Sequence, residues 1–280
     1  MKLVPSSFAS GLSCQRRVVL LAPSLSVVPH GFADALVSPA DHENLLAQMQ
    51  RLRGQIYLDD GAIGEHQLTA DGRHQQAADN ESWHLLAVGP DGVVQGCARY
   101  RTLREPVSFA SLGVSHSAMA IDDRWGVRLR EAIETDIAEA QARGLSYVEV
   151  GGWALTPELR CSTEALRIAL ATWALARVMG GCIGVTTATR RHCSASILRK
   201  IGGRSLVVDG QELPHYFDPS YECDMEILRF DSDRPNQRFE GWVEQWVRHL
   251  LSAPVLCRSA RPSTANRLTM STSVALQPTA

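Results

Sequence analysis

The chain has 280 residues, of which 45% are hydrophobic and 21% charged, and its formal net charge at pH 7 is −2. This length can bury one large or two small hydrophobic cores, and the composition is that of an ordinary folded protein. A net charge near zero gives no support for binding nucleic acid. The seven cysteines are odd in number and include no C-x-x-C pair. They favour reduced thiols in the cytoplasm over a disulfide framework, and they predict no metal site.

Residues 1–40 are rich in Pro, Ser and small residues and show no sustained periodicity. We therefore expect a poorly ordered leader that is not part of the core. Its apolar segment, residues 18–28, follows two arginines in the manner of an export signal. Pro23 interrupts this segment, no small-residue cleavage site follows, and it is too short to span a membrane, so a leader is favoured over a signal.

Regular structure is predicted from Asp41 onward. Apolar residues recur at helical spacing up to about Tyr57, and Asp41 can cap the start of that helix. After a polar loop, residues 83–88 and 93–103 flank a Gly-Pro-Asp-Gly turn and predict a β-hairpin.

Two arginines, Arg99 and Arg101, lie on the second strand of this hairpin. Their equal parity places both side chains on one face of the strand. A solvated strand face is one interpretation. The alternative is that the pair binds an anion, such as a substrate carboxylate.

The centre of the chain predicts alternating helices and strands. An amphipathic helix ends at Gly144. After it the sequence predicts a strand at 147–155, an apolar helix at 163–179, a second strand at 182–188 and a second helix at 192–201. Strands joined through a crossover helix pair in parallel, and a cleft forms where such strands end and helices begin. We expect the functional site in this cleft.

The remaining sequence predicts strands at 204–208 and 222–230 and a helix at 239–251. These elements complete a domain over residues 41–232 and a C-terminal helix within 233–252. Residues 253–280 are rich in Ser, Thr, Pro and Ala, which predicts a disordered tail.

The start of the apolar helix, Arg160-Cys-Ser-Thr-Glu-Ala165, suits an anion. Ser162 is a good N-cap, and the N–H groups of the first turn point outward without intrahelical partners. Together with the charge of Arg160, such a helix start can bind a phosphate or pyrophosphate. The alternative is a well-capped structural helix.

Glu149 interrupts the otherwise apolar strand YVEVGGWAL. A carboxylate there costs free energy unless it is paired or lies in a cleft, where it can act as a general base. The alternative is a solvated or arginine-paired carboxylate, with Arg99 as a candidate partner. Gly151 and Gly152 remove two side chains from the same strand, which favours a bulge or the close approach of a ligand.

The order of a β-hairpin, a strand, a turn of the form R-x-x-x-x-A, an apolar helix, a strand and SASILRKIGG resembles the Gcn5-related N-acetyltransferase (GNAT) superfamily over roughly residues 45–230. This resemblance implies an α/β fold with a mixed, mostly antiparallel sheet flanked by helices, in which a parallel fourth and fifth strand splay apart. It implies that acyl-CoA pairs with strand 147–155 and that the following turn holds its pyrophosphate. The implied donor-binding residues are Trp153, Ala154, Leu155, Arg160, Cys161, Ser162, Thr163, Glu164 and Ala165.

Within the superfamily, the sequence is similar to the acyl-homoserine-lactone (autoinducer) synthases and the N-acyl amino acid synthases. Arg53 and Tyr57 match their Arg-x-x-x-aromatic element, and GCARYR matches their arginine-bearing third strand. VEVGGWAL matches their E-x-x-R-aromatic pattern at Glu149 and Trp153, with Gly152 in place of the arginine.

Two further positions depart from the superfamily pattern. Thr163 stands where the phosphate loop usually has glycine, and Leu198 stands where a tyrosine usually protonates the leaving thiolate. The loss of that acid need not stop the reaction, because a thiol with a pKa of about 8.5 is a tolerable leaving group.

The resemblance implies an N-acyltransferase that moves an acyl group from acyl-CoA or an acyl-carrier-protein thioester to a small amine such as an amino acid. Glu149 would accept the amine proton, N–H groups near Trp153–Leu155 would polarise the thioester, and Arg99 and Arg101 would hold a substrate carboxylate. No metal, nucleic acid or membrane span is expected. Two alternatives remain: a lactone-forming autoinducer synthase that uses S-adenosylmethionine, and a catalytically silent module that binds an acyl thioester.

Overall fold

A mixed sheet of ten strands organises the protein, and the computed structural model describes residues 16–24, 28–103, 105–160 and 162–259. The strands are β1 (Arg17–Leu21), β2 (Asp34–Val37), β3 (Trp83–Val88), β4 (Val94–Thr102), β5 (Ser146–Leu155), β6 (Cys182–Thr189), β7 (Arg204–Ser205), β8 (Val207–Val208), β9 (Gln211–Glu212), β10 (Tyr216–Asp218), β11 (Cys223–Asp231) and β12 (Pro254–Cys257). The helices are α1 (Pro39–Asp59), α2 (Gly126–Ala142), α3 (Pro157–Arg160), α4 (Glu164–Val178), α5 (Ser194–Ile201) and α6 (Glu240–Leu251).

The strands of the sheet are ordered β10-β11-β6-β5-β4-β3-β1-β12-β2, β7 also pairs with β11, and β8 and β9 form a separate hairpin. β4 pairs antiparallel with both β3 and β5, whereas β5 and β6 are parallel. The predicted hairpin of β3 and β4 and the predicted parallel pair are therefore both confirmed.

The parallel pair of β5 and β6 separates along its length. Their register runs from Ser146–Cys182 to Val150–Thr186 and goes no further. Beyond that point β5 stays paired with β4 as far as Leu155, and β6 stays paired with β11 as far as Thr189. The two strands form a fork that is closed at one end and open at the other, which confirms the splayed pair that the family resemblance implies.

Helices cover both faces of this sheet, and alternate strand residues reach opposite layers. Tyr147 packs with α2 on one face, while Val148 packs with α4 and α6 on the other. On the Tyr147 side, α1 packs beside α2 against β4 and β5. Leu170 and Leu175 of α4 are fully buried, as expected for a helix that is apolar almost all round.

Three strands that lie in the predicted leader and tail belong to the sheet. β1 is buried between β3 and β12, and β12 runs parallel between β1 and β2. The prediction of a leader over residues 1–40 is therefore wrong for 17–21 and 34–37, and that of a disordered tail is wrong for 254–257. A strand buried on both faces reads as a short continuous apolar run, and its parallel partners come from distant parts of the chain. The predictions for residues 1–15, 25–27 and 260–280 lie outside the described residues.

Within the described ranges, no helix combines the length and apolar character needed to cross a membrane.

Leu20 of β1 is fully buried, so we expect its side chain to contribute to the packing of the core. We expect Leu20→Ala to lower the free energy of unfolding by about 3 kcal/mol, because it removes buried methyl groups and leaves a cavity. Leu36→Ala on the edge strand β2 is the control, since Leu36 is 51% exposed and its change is expected to stay within about 0.5 kcal/mol. Urea denaturation measures both, and equally small losses would place β1 outside the core.

Candidate active site

Glu149 lies on β5 one residue before the fork opens, opposite Val185 of β6. Its side chain is buried on the face of the sheet that α1 and α2 cover. The Oε1 atom accepts a hydrogen bond from the backbone N–H of Val114 at 3.1 Å. Gly113 allows this approach, because a Cβ there would lie 2.9 Å from the same oxygen. The carboxylate is thus held in place beside the cleft.

Arg101 is the charged partner of Glu149. The two residues face each other across the β4–β5 register, with 3.7 Å between Arg101 Nη1 and Glu149 Oε2. The other amino group of Arg101 donates to Glu81 at 3.0 Å. Arg99, the candidate partner of Glu149 from the sequence, does not make this contact, which belongs to Arg101.

Arg99 instead joins a buried polar cluster of Arg53, Asp79 and His84. Arg53, from α1, donates two hydrogen bonds to the Asp79 carboxylate at 2.7 and 2.8 Å, and both side chains are almost fully buried. Arg99 lies 3.6 Å from the same carboxylate and also donates to the side chain of Gln76. No other carboxylate in the described part of the chain lies within 4.0 Å of either guanidinium, so this cluster holds one excess positive charge.

Burial and hydrogen bonding act in opposite directions on the cluster. Burial alone would raise the pKa of Asp79, but the hydrogen bonds and the charge of Arg53 outweigh it and hold this pKa at about 2. Burial lowers the pKa of His84 to about 4, against the attraction of Asp79. His84 Nε2 donates to the Asp79 carbonyl at 2.8 Å, and although this bond favours the charged form, burial outweighs it and keeps the ring neutral at physiological pH.

Gly152 marks a bulge in the pairing of β5 with β4. The register shifts between Cys97 and Arg99, and Gly152 has a φ of +60°. A Cβ at this position would lie 3.1 Å from Arg99 Cβ and 3.5 Å from Arg53 Nη1. The bulge predicted from Gly151-Gly152 is present. The positive φ and the two neighbouring arginines both favour glycine at this position.

The predicted thioester-binding residues of β5 line the open part of the fork. Past Val150, the edge of β5 that faces β6 has no strand partner among the described residues. Trp153 packs against the main core, and its Nε1 is buried without a hydrogen-bond partner. Ala154 and Leu155 are buried on opposite faces. Backbone donors on such an unpaired edge are available to a ligand.

The predicted phosphate loop is partly occupied by its own side chains. The helix begins at Glu164, and the hydroxyl of Ser162 accepts the Glu164 N–H at 3.1 Å. Thr163 holds the N-cap position without a side-chain bond. The Glu164 carboxylate accepts a hydrogen bond from Arg167 at 2.6 Å. Ala165 is buried, Cys161 lies outside the described residues, and Arg160 pairs with Asp60.

Three of these groups were not singled out from the sequence. Asp79 and Asp60 lie in or beside a loop whose composition predicts only that it is polar, and His84 reads as an ordinary strand residue. The sequence gives little indication of the roles of Asp79 and Asp60, because each becomes recognisable only through the arginine that it contacts in the folded protein. Leu198 lies on α5 against the main core, so this position supplies no proton donor.

Solved structures share this fold. The CoA-dependent acyl-homoserine lactone synthase BjaI with SAM and isopentyl-CoA aligns with a TM-score of 0.53 and 13% identity, over 88% of this chain and 95% of that chain. BjaI with MTA aligns with a TM-score of 0.50 and 14% identity over the same shares. FeeM, an N-acyl amino acid synthase from uncultured soil microbes, aligns at 0.43 and 13% identity over 71% of this chain and 88% of that chain.

At these identities the BjaI structures establish the GNAT-like fold alone. No protein-family model matches the sequence, and no curated protein matches it.

The burial of His84 predicts a pH-dependent stability. An unfolded histidine binds a proton below its ordinary pKa of about 6.5, whereas folded His84 resists protonation down to about 4. Since the unfolded state binds more protons between these values, this residue's contribution to stability is lost as pH falls through that window, by about 3 kcal/mol in total.

The measurement is the free energy of unfolding in urea at pH 7.5 and pH 4.5. His84→Gln removes the titrating group, so we expect its loss of stability on acidification to be smaller than that of the wild type. His66→Gln is the matched control, because His66 is exposed and should leave the slope unchanged. If His84→Gln shows the wild-type slope, His84 is not protected from protonation.

Proposed function

We propose that the protein is an N-acyltransferase that moves an acyl group from a CoA or acyl-carrier-protein thioester to the amine of a small carboxylate-bearing molecule, such as an amino acid. The observation that carries this proposal is the fork between β5 and β6 with the buried carboxylate of Glu149 beside its opening. The fork offers a strand edge to the donor, and the carboxylate is a base within the same cleft.

The donor would lie along the free edge of β5. Backbone N–H groups near Trp153–Leu155 would polarise the thioester carbonyl and stabilise the negative charge that develops on its oxygen. Arg160, Ser162, Thr163, Glu164 and Ala165, together with Cys161, would surround the donor phosphate. Among these residues Arg160 supplies the positive charge, and the negative charge of Glu164 is neutralised by Arg167.

In the proposed reaction the amine nitrogen attacks the thioester carbon while Glu149, directly or through a water, accepts a proton from the amine. The new C–N bond forms and the C–S bond breaks, so the sulfur leaves as a thiolate. Leu198 offers no acid on α5, but a thiol of pKa about 8.5 leaves readily as its anion. Arg101 and the Val114 N–H would hold Glu149 in its acting position.

The acceptor would place its carboxylate near Arg99. The cluster of Arg53, Arg99 and Asp79 carries two positive charges and one negative charge, so a substrate carboxylate would neutralise it. The side chain of Arg99 is 13% exposed, whereas that of Arg53 is fully buried. Arg99 is therefore the cation of this cluster that a substrate can reach. Arg101, proposed from the sequence for the same role, already contacts Glu149 and Glu81. Its main role in this proposal is to position Glu149.

A lactone-forming synthase is the second candidate, because BjaI, with the same fold, was determined with SAM and isopentyl-CoA. S-adenosylmethionine carries an amine and a carboxylate, and so meets the same charge requirement. Offering it beside ordinary amino acids separates the two candidates, since only a lactone synthase would convert it to a lactone.

The experiment measures release of free thiol from acyl-CoA and acyl-carrier-protein donors of several chain lengths, with mixed amino acids or S-adenosylmethionine as acceptors. We expect Glu149→Gln to lower the rate by at least about 100-fold, because the amide cannot accept the proton. Glu131→Gln, on the exposed side of α2, is the matched control and should keep the wild-type rate.

Folded wild-type protein that releases no thiol with any donor would overturn the proposed activity. Donor binding that is equal in wild type and Glu149→Gln, without turnover in either, would instead identify a silent thioester-binding module.

Arg99→Gln tests the acceptor. We expect the apparent KM for an amino acid to rise by about 10- to 100-fold, the value of a charged hydrogen bond, while the corresponding decarboxylated amine reacts as with wild type. An equal loss with both acceptors would show that Arg99 supports the structure of the cluster and does not bind the carboxylate.

A further inference from the structure

Asp60, the residue directly after α1, bridges the two loops that follow the forked strands. Its carboxylate accepts hydrogen bonds from both terminal nitrogens of Arg160, on the β5 side, at 3.0–3.1 Å. On the β6 side, His192 Nε2 lies 3.4 Å from the carboxylate, and Arg191 Nη1 donates to the Asp60 carbonyl at 2.8 Å. Three basic side chains from opposite sides of the opening therefore converge on one acidic residue.

The charges at this opening do not balance. Arg191 makes its other hydrogen bonds to the backbone carbonyls of Tyr221 and Glu222, and no carboxylate of the described residues lies within 4.0 Å of it. Asp60 is the carboxylate partner of Arg160. The opening thus holds two guanidinium groups and one carboxylate, which pairs with Arg160 and leaves the charge of Arg191 without a carboxylate partner among the described residues, even with His192 neutral. A phosphate group carries more charge than a carboxylate and fits the same planar guanidinium donors.

The carboxylate contacts of this bridge can open without moving the backbone, whereas the hydrogen bond from Arg191 to the Asp60 carbonyl stays in place. Asp60 N–H donates to the Ile56 carbonyl, and Ala62 N–H donates to that of Tyr57, so the chain here stays fixed to the end of α1. The Asp60 carboxylate is partly exposed at 20%, and rotation about its side-chain bonds would take it into solvent.

We propose that Arg191 and His192 complete, from the β6 side, an anion subsite for the phosphate of a phosphopantetheine-bearing donor, and that Asp60 is an internal anion that the phosphate displaces. This inference rests on the proposed function for the identity of the donor. It adds two residues of the second loop to the phosphate subsite and assigns Asp60 as the anion that occupies this subsite between donors.

Equilibrium binding to the full-length protein tests it, with coenzyme A, phosphopantetheine, inorganic pyrophosphate and phosphate-free pantetheine as probes. We expect Asp60→Asn to bind the three phosphate-bearing probes about tenfold more tightly than wild type, because no internal carboxylate competes, and to leave pantetheine binding unchanged. Asp59→Asn is the matched control. It removes the same charge one residue earlier, from an exposed side chain that contacts Gln55.

A second pair of variants tests the β6-side cations. Adding Arg191→Gln to Asp60→Asn should abolish the gain in affinity. Adding Arg190→Gln should not, because Arg190 faces Asp224 and Glu226. Thermal melting confirms that each variant is folded.

Unchanged or weaker phosphate binding by folded Asp60→Asn, or no binding of any phosphate probe to either protein, would overturn the inference. These readouts are independent of turnover. Tighter phosphate binding without thiol release in any assay would keep the subsite and reject the acyltransferase. Thiol release by the wild type, with unchanged phosphate affinity in Asp60→Asn, would keep the acyltransferase and reject the subsite.

Discussion

The separation of β5 from β6 is the constraint on which the rest of the structure depends. The two strands share hydrogen bonds only as far as Val150 and Thr186, and each then follows its other neighbour. The sheet is therefore continuous at one end and divided at the other. Backbone groups on the inner edges of the divided part need partners, and a ligand that is itself rich in amides can supply them. The bulge at Gly152 lies where this division begins.

A buried ion pair fixes the helix that covers this region. Arg53 is fully buried, and a lone guanidinium there would be very costly. Asp79 neutralises it, while the backbone carbonyl of His74 accepts a further hydrogen bond. This arrangement connects α1 to the loop before β3. Asp60 directly follows the same helix and meets the loops beyond the fork.

The sequence predicts what is periodic and local. The helices α1, α2 and α4 and the hairpin of β3 and β4 follow from apolar spacing, whereas the fork follows only from the family resemblance, because no local pattern encodes where two strands part. β1 and β12 were missed for a related reason. Each is a short apolar run near one terminus, and each becomes a strand only by pairing with the other and with an existing sheet.

The candidate site shows the same limit in its side chains. Strand parity correctly placed Arg99 and Arg101 on one face, but it could not decide which carboxylate each would meet. That choice depends on Asp79, which lies in a loop, and on Glu149, which faces Arg101 through the cross-strand register. Likewise Arg160 was predicted as a phosphate ligand, whereas its partner Asp60 follows a helix a hundred residues earlier.

Gly152 and Leu198, at which the sequence departs from the pattern it resembles, have different surroundings. Gly152 has a positive φ and lies beside the side chains of Arg99 and Arg53, so both its backbone and its neighbours favour glycine. Leu198 packs against the core on α5 and supplies no acid. A reaction at this site would then depend on the base and on an intrinsically good leaving group. The thiolate of the proposed thioester donor meets this requirement, because a thiol with a pKa of about 8.5 leaves readily as its anion.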